Sequence, residues 1–110
     1  MISCDDIFLN EKHVPGLIKL TDSDDMFYWL FKSRDNIAED PLVIWLTGGP
    51  GCSSEVAIFA ENGPFSVKDD LSLLKNDYSW NNQANMLYVD QPVGTGFSKA
   101  SLADYTRSED

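Results

Sequence analysis

Short apolar runs separated by polar segments organise the chain, and their lengths predict strands. Leu17–Leu20 and the aromatic run Met26–Phe31 flank the polar cluster Thr21–Asp25, which is typical of the turn between two antiparallel strands. Leu42–Leu46 is continuously apolar, so we expect a strand that is buried on both faces of a mostly parallel sheet. The first half of the chain therefore predicts a hairpin and then a central strand.

A short helix is predicted where the third run has ended in glycines. Ser53 or Ser54 is a suitable helix N-cap, and Glu55 suits the positive end of the helix dipole in the first turn. Three apolar side chains share one face of this helix of about two turns: Val56, Phe59 and Ala60. Asn62-Gly63-Pro64 ends it, with glycine suited to the left-handed position after the last turn.

The second half of the chain predicts one more central strand. Ser66–Asn82 is polar and mixed, and we expect it to be a surface excursion. Asn85–Asp90 predicts the strand, and a second glycine loop, Gly94–Ser98, follows it. We expect Lys99–Asp110 to be a charged tail without an anchoring core residue. A hairpin followed by strand, helix and strand indicates the opening of a mixed α/β sheet.

Composition excludes several classes of partner. The 110 residues are 43% apolar and 12% aromatic, which suffices for a core. With 8 basic and 18 acidic residues the net charge is −10, so neither nucleic acid nor a membrane surface is an expected partner. One histidine and two cysteines, Cys4 and Cys52, offer no metal-ligand spacing, so we expect no metal and no cofactor. Met1–Asp6 does not resemble a signal peptide, so either a leader has been removed or the sequence begins inside a longer protein.

The most specific chemical feature is the segment Gly48–Ser54 between the third strand and the helix. Its glycines remove the Cβ atoms that would keep a ligand from the backbone, and they permit N–H groups to converge on one point. Such donors stabilise an oxyanion in hydrolases. The alternatives are an ordinary strand-to-helix turn, or a phosphate-binding loop, which lacks its lysine here.

Several blocks of the sequence, in order and spacing, resemble the signature of the serine carboxypeptidases, the α/β-hydrolase family of cathepsin A and carboxypeptidase Y. The blocks are Phe27–Trp29 with Ser33-Arg34, Asp40–Ser54, Glu61–Phe65, Tyr78–Trp80 and Asn85–Ser98. The resemblance implies that residues 1–110 are the N-terminal portion of a single, incomplete α/β-hydrolase domain. It also implies a serine-type peptidase that removes C-terminal residues, in a lysosome or vacuole or after secretion. The implied partners are a peptide C-terminus and the remainder of the domain.

The resemblance assigns roles to five residues. Gly49 matches the residue whose backbone N–H forms one side of the oxyanion hole. Thr47 and Gly48 match groups that hydrogen-bond the terminal carboxylate of the substrate, and Glu61 matches the acid of that site. Trp45 matches an indole N–H that supports the network. Two carboxylates in a dry pocket repel unless they share a proton, so the arrangement favours acidic conditions.

Some parts of the family pattern differ or are absent. The residue that best fits the pattern at position 47 is Asn rather than Thr, which bears on substrate preference. No Gly-x-Ser-x-Gly elbow occurs in the chain, and we expect His13 to be an exposed loop residue outside any triad. Ser53 and Ser54 have no base to activate them, so we interpret both as helix caps. The family's partner for Cys52 is not present. Alternatives are a carboxypeptidase-like acyltransferase or an inactive, truncated product.

Overall fold

A mixed four-stranded sheet forms the centre of the computed structural model, which describes residues 7–104. Its strands are β1 (His13–Lys19), β2 (Asp25–Phe31), β3 (Leu42–Leu46) and β6 (Asn85–Val89), in the spatial order β1-β2-β6-β3. Strand β6 is antiparallel to β2 and parallel to β3. A helix, α1 (Glu55–Ala60), connects the two parallel strands together with a small hairpin. The predicted mixed α/β order is therefore confirmed.

The first hairpin begins earlier than its apolar run indicated. Strand β1 starts at His13, which pairs with Phe31 of β2. The prediction that His13 is an exposed loop residue is wrong, because its ring stacks on Phe31 and its Nδ1 accepts a hydrogen bond of 3.0 Å from Trp29 Nε1. At the other end, Asp24 is buried and its Oδ1 accepts the Ser101 N–H at 3.0 Å.

One face of the sheet carries the core. In register across three strands, Met86 of β6 lies between Val43 of β3 and Phe31 of β2, so alternate side chains of all three point to one side. Helix α1 packs on this side through Ala57 and Ile58, which are both completely buried. The other members of the core cluster are Phe65, Ala84 and Tyr88.

The opposite face is apolar and uncovered among the described residues. One row crosses all four strands in register: Ile44, Leu87, Leu30 and Val14. At its two ends Ile44 is 59% exposed and Val14 is 41% exposed. The expectation that Leu42–Leu46 is buried on both faces is therefore wrong for this chain, because β3 is an edge strand and nothing in residues 7–104 covers its second face.

Helix α1 and the segment after it differ from the predicted details. The helix buries Ala57 and Ile58, whereas the face formed by Val56, Phe59 and Ala60 lines a shallow apolar groove. Gly63 does not take the left-handed conformation. A Cβ at this position would lie 2.3 Å from the Ile58 Cα, so the close approach of two backbones requires glycine.

The expected surface excursion has structure of its own. It contains an antiparallel pair, β4 (Phe65–Val67) and β5 (Leu73–Lys75), and a 3₁₀ turn, Trp80–Asn82. The Arg34 side chain fixes this segment by donating to the carbonyl oxygen of Asn76 at 2.7 Å and to Asn82 Oδ1 at 2.8 Å.

The predicted tail is anchored at its start, since the backbones of Lys99 and Asp25 exchange two hydrogen bonds. Residues 105–110 lie outside the described part. Within residues 7–104, no helix is long and apolar enough to cross a membrane.

Candidate active site

The loop between β3 and α1, residues 47–54, presents backbone rather than side chains. Gly49 has a φ of +148°, and a Cβ there would lie 3.1 Å from the backbone nitrogens of Gly51 and Cys52. Gly48 and Gly49 are both exposed. Among the described residues, no protein group accepts a hydrogen bond from the Gly49 N–H. The loop therefore holds an exposed donor in a conformation that favours glycine.

Trp45 and Thr47 come together at the end of β3. The indole Nε1 of Trp45 donates to Thr47 Oγ1 at 3.1 Å, and the ring meets Trp80 edge to face with centroids 5.5 Å apart. The carbonyl oxygen of Thr47 accepts from Gln91 Nε2 at 3.3 Å. Alternation along the strand directs the Trp45 side chain towards the core face, and this bond turns its polar edge to the first residue of the loop.

Glu61 lies at the far end of α1. It is the C-cap residue, its N–H donates to the Ala57 carbonyl oxygen at 3.2 Å, and the residue is exposed. Burial, and then the negative charge of Glu61, raise the pKa of Tyr88 well above its ordinary value. Tyr88 is the neighbour of Trp45 in the sheet, so Glu61 lies on the same side of the sheet as the Trp45–Thr47 pair. No hydrogen bond joins Glu61 to Thr47, Gly48 or Gly49 among the described residues.

The two serines before the helix do different things. Ser53 acts as a cap, since its Oγ accepts the Glu55 N–H at 3.2 Å. Ser54 occupies the N-cap position, as predicted, but its side chain makes no capping bond. Its buried Oγ instead donates to the Val89 carbonyl oxygen at 2.5 Å and accepts the Thr47 N–H at 3.2 Å. The hydroxyl is thereby enclosed between a strand end and the loop start.

Asp90 is the residue that sequence reasoning missed. It directly follows β6, is completely buried, and accepts the Ser54 N–H on Oδ1 at 2.7 Å and the Phe97 N–H on Oδ2 at 2.9 Å. The signal was present in the sequence: an aspartate at the end of an apolar strand, followed by two closely spaced glycines. A buried carboxylate needs such donors, and loop amides are the nearest source.

Glu55 shares this environment. Burial, and then the adjacent carboxyl group of Asp90 with its negative charge, raise the pKa of Glu55 to about 7. One of its carboxyl oxygens bonds the Ser53 hydroxyl, and the other is buried without a hydrogen-bond partner among the described residues. A protonated Glu55 relieves the repulsion between the two carboxyl groups.

No feature of the described residues indicates a metal centre. Residues 7–104 contain no cluster of three or more side chains of the types that ligate metal ions. Cys52 is exposed at the glycine loop as a free thiol. Cys4 lies outside the described residues.

The fold has a counterpart among solved structures. A prohormone-processing carboxypeptidase from Saccharomyces cerevisiae superimposes with a TM-score of 0.69 and 38% sequence identity, over 79% of this chain and 20% of that one. A family model described as serine carboxypeptidase matches residues 5–110. The chain belongs to the serine carboxypeptidase family.

Curated relatives agree with this assignment. A serine carboxypeptidase-like protein of Oryza sativa subsp. japonica is 52% identical over 89% of this chain and 24% of its own length. Serine carboxypeptidase-like 48 of Arabidopsis thaliana is 55% identical over 89% of this chain and 20% of its own length. The chain thus spans between a fifth and a quarter of the length of these two relatives.

Proposed function

We propose that this chain supplies the oxyanion-hole and terminal-carboxylate part of a serine-type carboxypeptidase, which hydrolyses C-terminal residues from peptides. The observation that carries the proposal is the N–H of the exposed residue Gly49, which has no protein acceptor within residues 7–104 and lies in a glycine loop at the end of a sheet strand. A donor fixed before reaction stabilises the charge that develops on the carbonyl oxygen, which contributes about 3–4 kcal/mol in hydrolases.

The neighbouring groups would select the substrate. Thr47 and Gly48 would hydrogen-bond the terminal carboxylate, with the Trp45 indole fixing the Thr47 hydroxyl at 3.1 Å. Glu61 would be the acid that faces this carboxylate, and a shared proton would favour acidic conditions such as those of a lysosome or vacuole. These roles rest on the family pattern together with the placement of Trp45, Thr47 and Glu61 on one side of the sheet.

The rest of the active site would come from the remainder of a carboxypeptidase domain. The 110 residues contain no Gly-x-Ser-x-Gly elbow, and the Ser54 hydroxyl is buried and donates to a carbonyl oxygen. The uncovered row Ile44, Leu87, Leu30 and Val14 is an apolar surface that such a remainder would bury. We therefore propose that the 110-residue chain by itself is catalytically inactive.

A chimaera tests the proposed function. The residues of this chain replace the matching segment of full-length serine carboxypeptidase-like 48 of Arabidopsis thaliana, and the product is offered a blocked dipeptide. We expect release of the terminal amino acid, abolished by prior treatment with a fluorophosphonate. A chimaera that unfolds at the same temperature as its parent, yet releases no amino acid while the parent does, would contradict the proposal.

The same chimaera distinguishes peptide hydrolysis from a second candidate function, acyl transfer. Thr47 offers a hydroxyl where an amide best fits the peptidase pattern, which bears on substrate preference, and the alternative class is the carboxypeptidase-like acyltransferases. Transfer of an acyl group from a glucose ester, without hydrolysis of the dipeptide, would assign the chain to that class. The 110-residue chain alone should not react with a fluorophosphonate. Labelling at Ser53 or Ser54 would contradict the proposal that this chain is catalytically inactive by itself.

A further inference from the structure

The Asp90 carboxylate joins the two glycine loops. Its oxygens accept one N–H from each loop, that of Ser54 at 2.7 Å and that of Phe97 at 2.9 Å. Its own backbone is also held, because its N–H donates to the Phe27 carbonyl oxygen at 3.0 Å and its carbonyl oxygen accepts the Ser98 hydroxyl at 2.7 Å. Asp90 is completely buried, so these bonds are shielded from competing water.

Ser54 passes this restraint to the loop that carries Gly49. The Ser54 hydroxyl accepts the Thr47 N–H at 3.2 Å and donates to the Val89 carbonyl oxygen at 2.5 Å. The first and last residues of the loop are therefore tied to each other and to the end of β6. Asp90 in turn accepts the Ser54 N–H, so the position of Ser54 depends on Asp90.

We propose that Asp90 is a positioning residue for the oxyanion-hole loop: by holding the Ser54 amide it fixes residues 47–54 and so aims the Gly49 N–H. The inference rests on the proposed function of Gly49. Asp90 does not touch the substrate, since its carboxylate is enclosed between the two loops. Its contribution is to remove the freedom that the glycines would otherwise give the donor.

An isosteric substitution in the chimaera tests this role in catalysis. Asp90→Asn keeps the size of the side chain but turns an NH₂ group towards one of the two amides. We expect kcat per fluorophosphonate-titrated site to fall roughly 10- to 100-fold, with KM changed less than about threefold, because only the transition state uses the oxyanion donor. Inhibition by a peptide aldehyde should weaken by the same factor as kcat.

A matched substitution controls for the change in charge. Asp22→Asn alters an exposed aspartate that pairs with Lys19 at 3.6 Å, and it should leave kcat, KM and aldehyde binding unchanged. If Asp90→Asn lowers only the number of titrated sites and not kcat per site, Asp90 has a structural role alone and the proposal is wrong.

Hydrogen exchange tests the restraint without reference to activity. In both the 110-residue chain and the chimaera, Asp90→Asn should speed exchange of the Thr47 and Ser54 amides, the two in this loop that bond protein acceptors, more than about tenfold and leave the amide of Leu87 unchanged. A uniform increase across the sheet, or none in the loop, would overturn the proposal. If the unsubstituted chimaera is folded but inactive, the proposed function fails, and exchange still decides whether Asp90 holds the loop.

Discussion

The two glycine loops look alike in sequence but use their backbones differently. In the second loop, residues 91–98, the amides are used within the protein: the Thr95 N–H bonds the Pro92 carbonyl oxygen, the Ser98 N–H bonds that of Thr95, and the Phe97 N–H bonds Asp90. In the first loop the ends are tied by Ser54, and the Gly49 N–H between them has no protein acceptor among the described residues.

The glycines themselves differ in the same way. Gly96, with a φ of +55°, is needed for space, because a Cβ there would lie 2.1 Å from Asp90 Oδ2. At Gly49 the absent side chain leaves an exposed backbone open to a ligand. The second loop thus packs around a buried charge, whereas the first presents a donor. The partner of each N–H, and not the glycine content, therefore separates a structural loop from a binding loop.

The largest expected effect is on catalysis, at the first loop. Gly49→Ala in the chimaera adds a methyl group 3.1 Å from two backbone nitrogens at a φ of +148°, so the loop must move and the N–H with it. We expect kcat/KM for the blocked dipeptide to fall about 10²- to 10³-fold, which corresponds to about 3–4 kcal/mol.

Gly51→Ala is the matched control for backbone strain. Gly51 also has a positive φ, of +90°, but a Cβ there would meet no atom within 4 Å. We expect this substitution to lower kcat/KM less than about tenfold, since an ordinary residue at positive φ costs about 1 kcal/mol. Equal losses at the two positions would mean that strain, and not the donor, accounts for the Gly49 effect.

The next effect is on stability, at the second loop. Gly96→Ala places a methyl group against the Asp90 carboxylate, and we expect the free energy of unfolding of the chimaera to fall by about 2–4 kcal/mol. Urea unfolding followed by tryptophan fluorescence measures it. If Gly96→Ala lowers the free energy of unfolding no more than Gly51→Ala does, the second loop does not pack tightly around Asp90.

The hydrophobic pattern predicted the strands and their order along the chain, because both follow from local runs of residues. It did not predict their pairing beyond the hairpin, since two of the three neighbouring pairs of the sheet are antiparallel and not parallel. Leu42–Leu46 and the core of Asn85–Asp90 are strands with nearly the predicted bounds. The pattern failed where a partner distant in the chain decides the environment. His13 belongs to a strand because its ring contacts Trp29 and Phe31. Ser54 bonds the end of β6 because Asp90 accepts its N–H and the Val89 carbonyl oxygen accepts its hydroxyl.

The candidate site was predictable only in part. Local sequence locates the glycine loop, and the family pattern names Trp45, Thr47, Gly48, Gly49 and Glu61. The structure adds the bond between Trp45 and Thr47 and the restraint by Asp90. Neither follows from periodicity, because each depends on which polar atoms remain unpaired once the strands have been placed.

A smaller effect on stability concerns the neighbouring carboxyl groups of Glu55 and Asp90. The folded state raises the pKa of Glu55 from 4.5 to about 7, mainly by burial, so it retains a proton that the unfolded chain releases. The resulting stability is fully present below about pH 4.5 and is lost as the pH rises through about 7. Because Glu55 is only partly buried, we expect a loss of about 1–2 kcal/mol over this window, measured as the urea midpoint of the chimaera.

Glu55→Gln isolates this contribution. Glutamine is neutral at every pH and similar in size, so the variant should lack the loss of stability between about pH 4.5 and 7. The Gly51→Ala variant, which changes no titrating group, should retain the pH dependence. An unchanged pH dependence in Glu55→Gln would show that another group is responsible.

The smallest effect lies at the edge of the first loop. Trp45→Phe keeps an aromatic ring against Trp80 but removes the indole N–H that bonds Thr47 Oγ1 at 3.1 Å. One such bond contributes about 1 kcal/mol, so we expect KM of the chimaera for the blocked dipeptide to rise roughly fivefold, with kcat little changed. Thr47→Val removes the same bond from the other side. If this bond carries the effect, the loss of binding free energy in the double variant, measured from KM, should be smaller than the sum of the losses in the two single variants. Additive losses would show that the indole and the hydroxyl act independently.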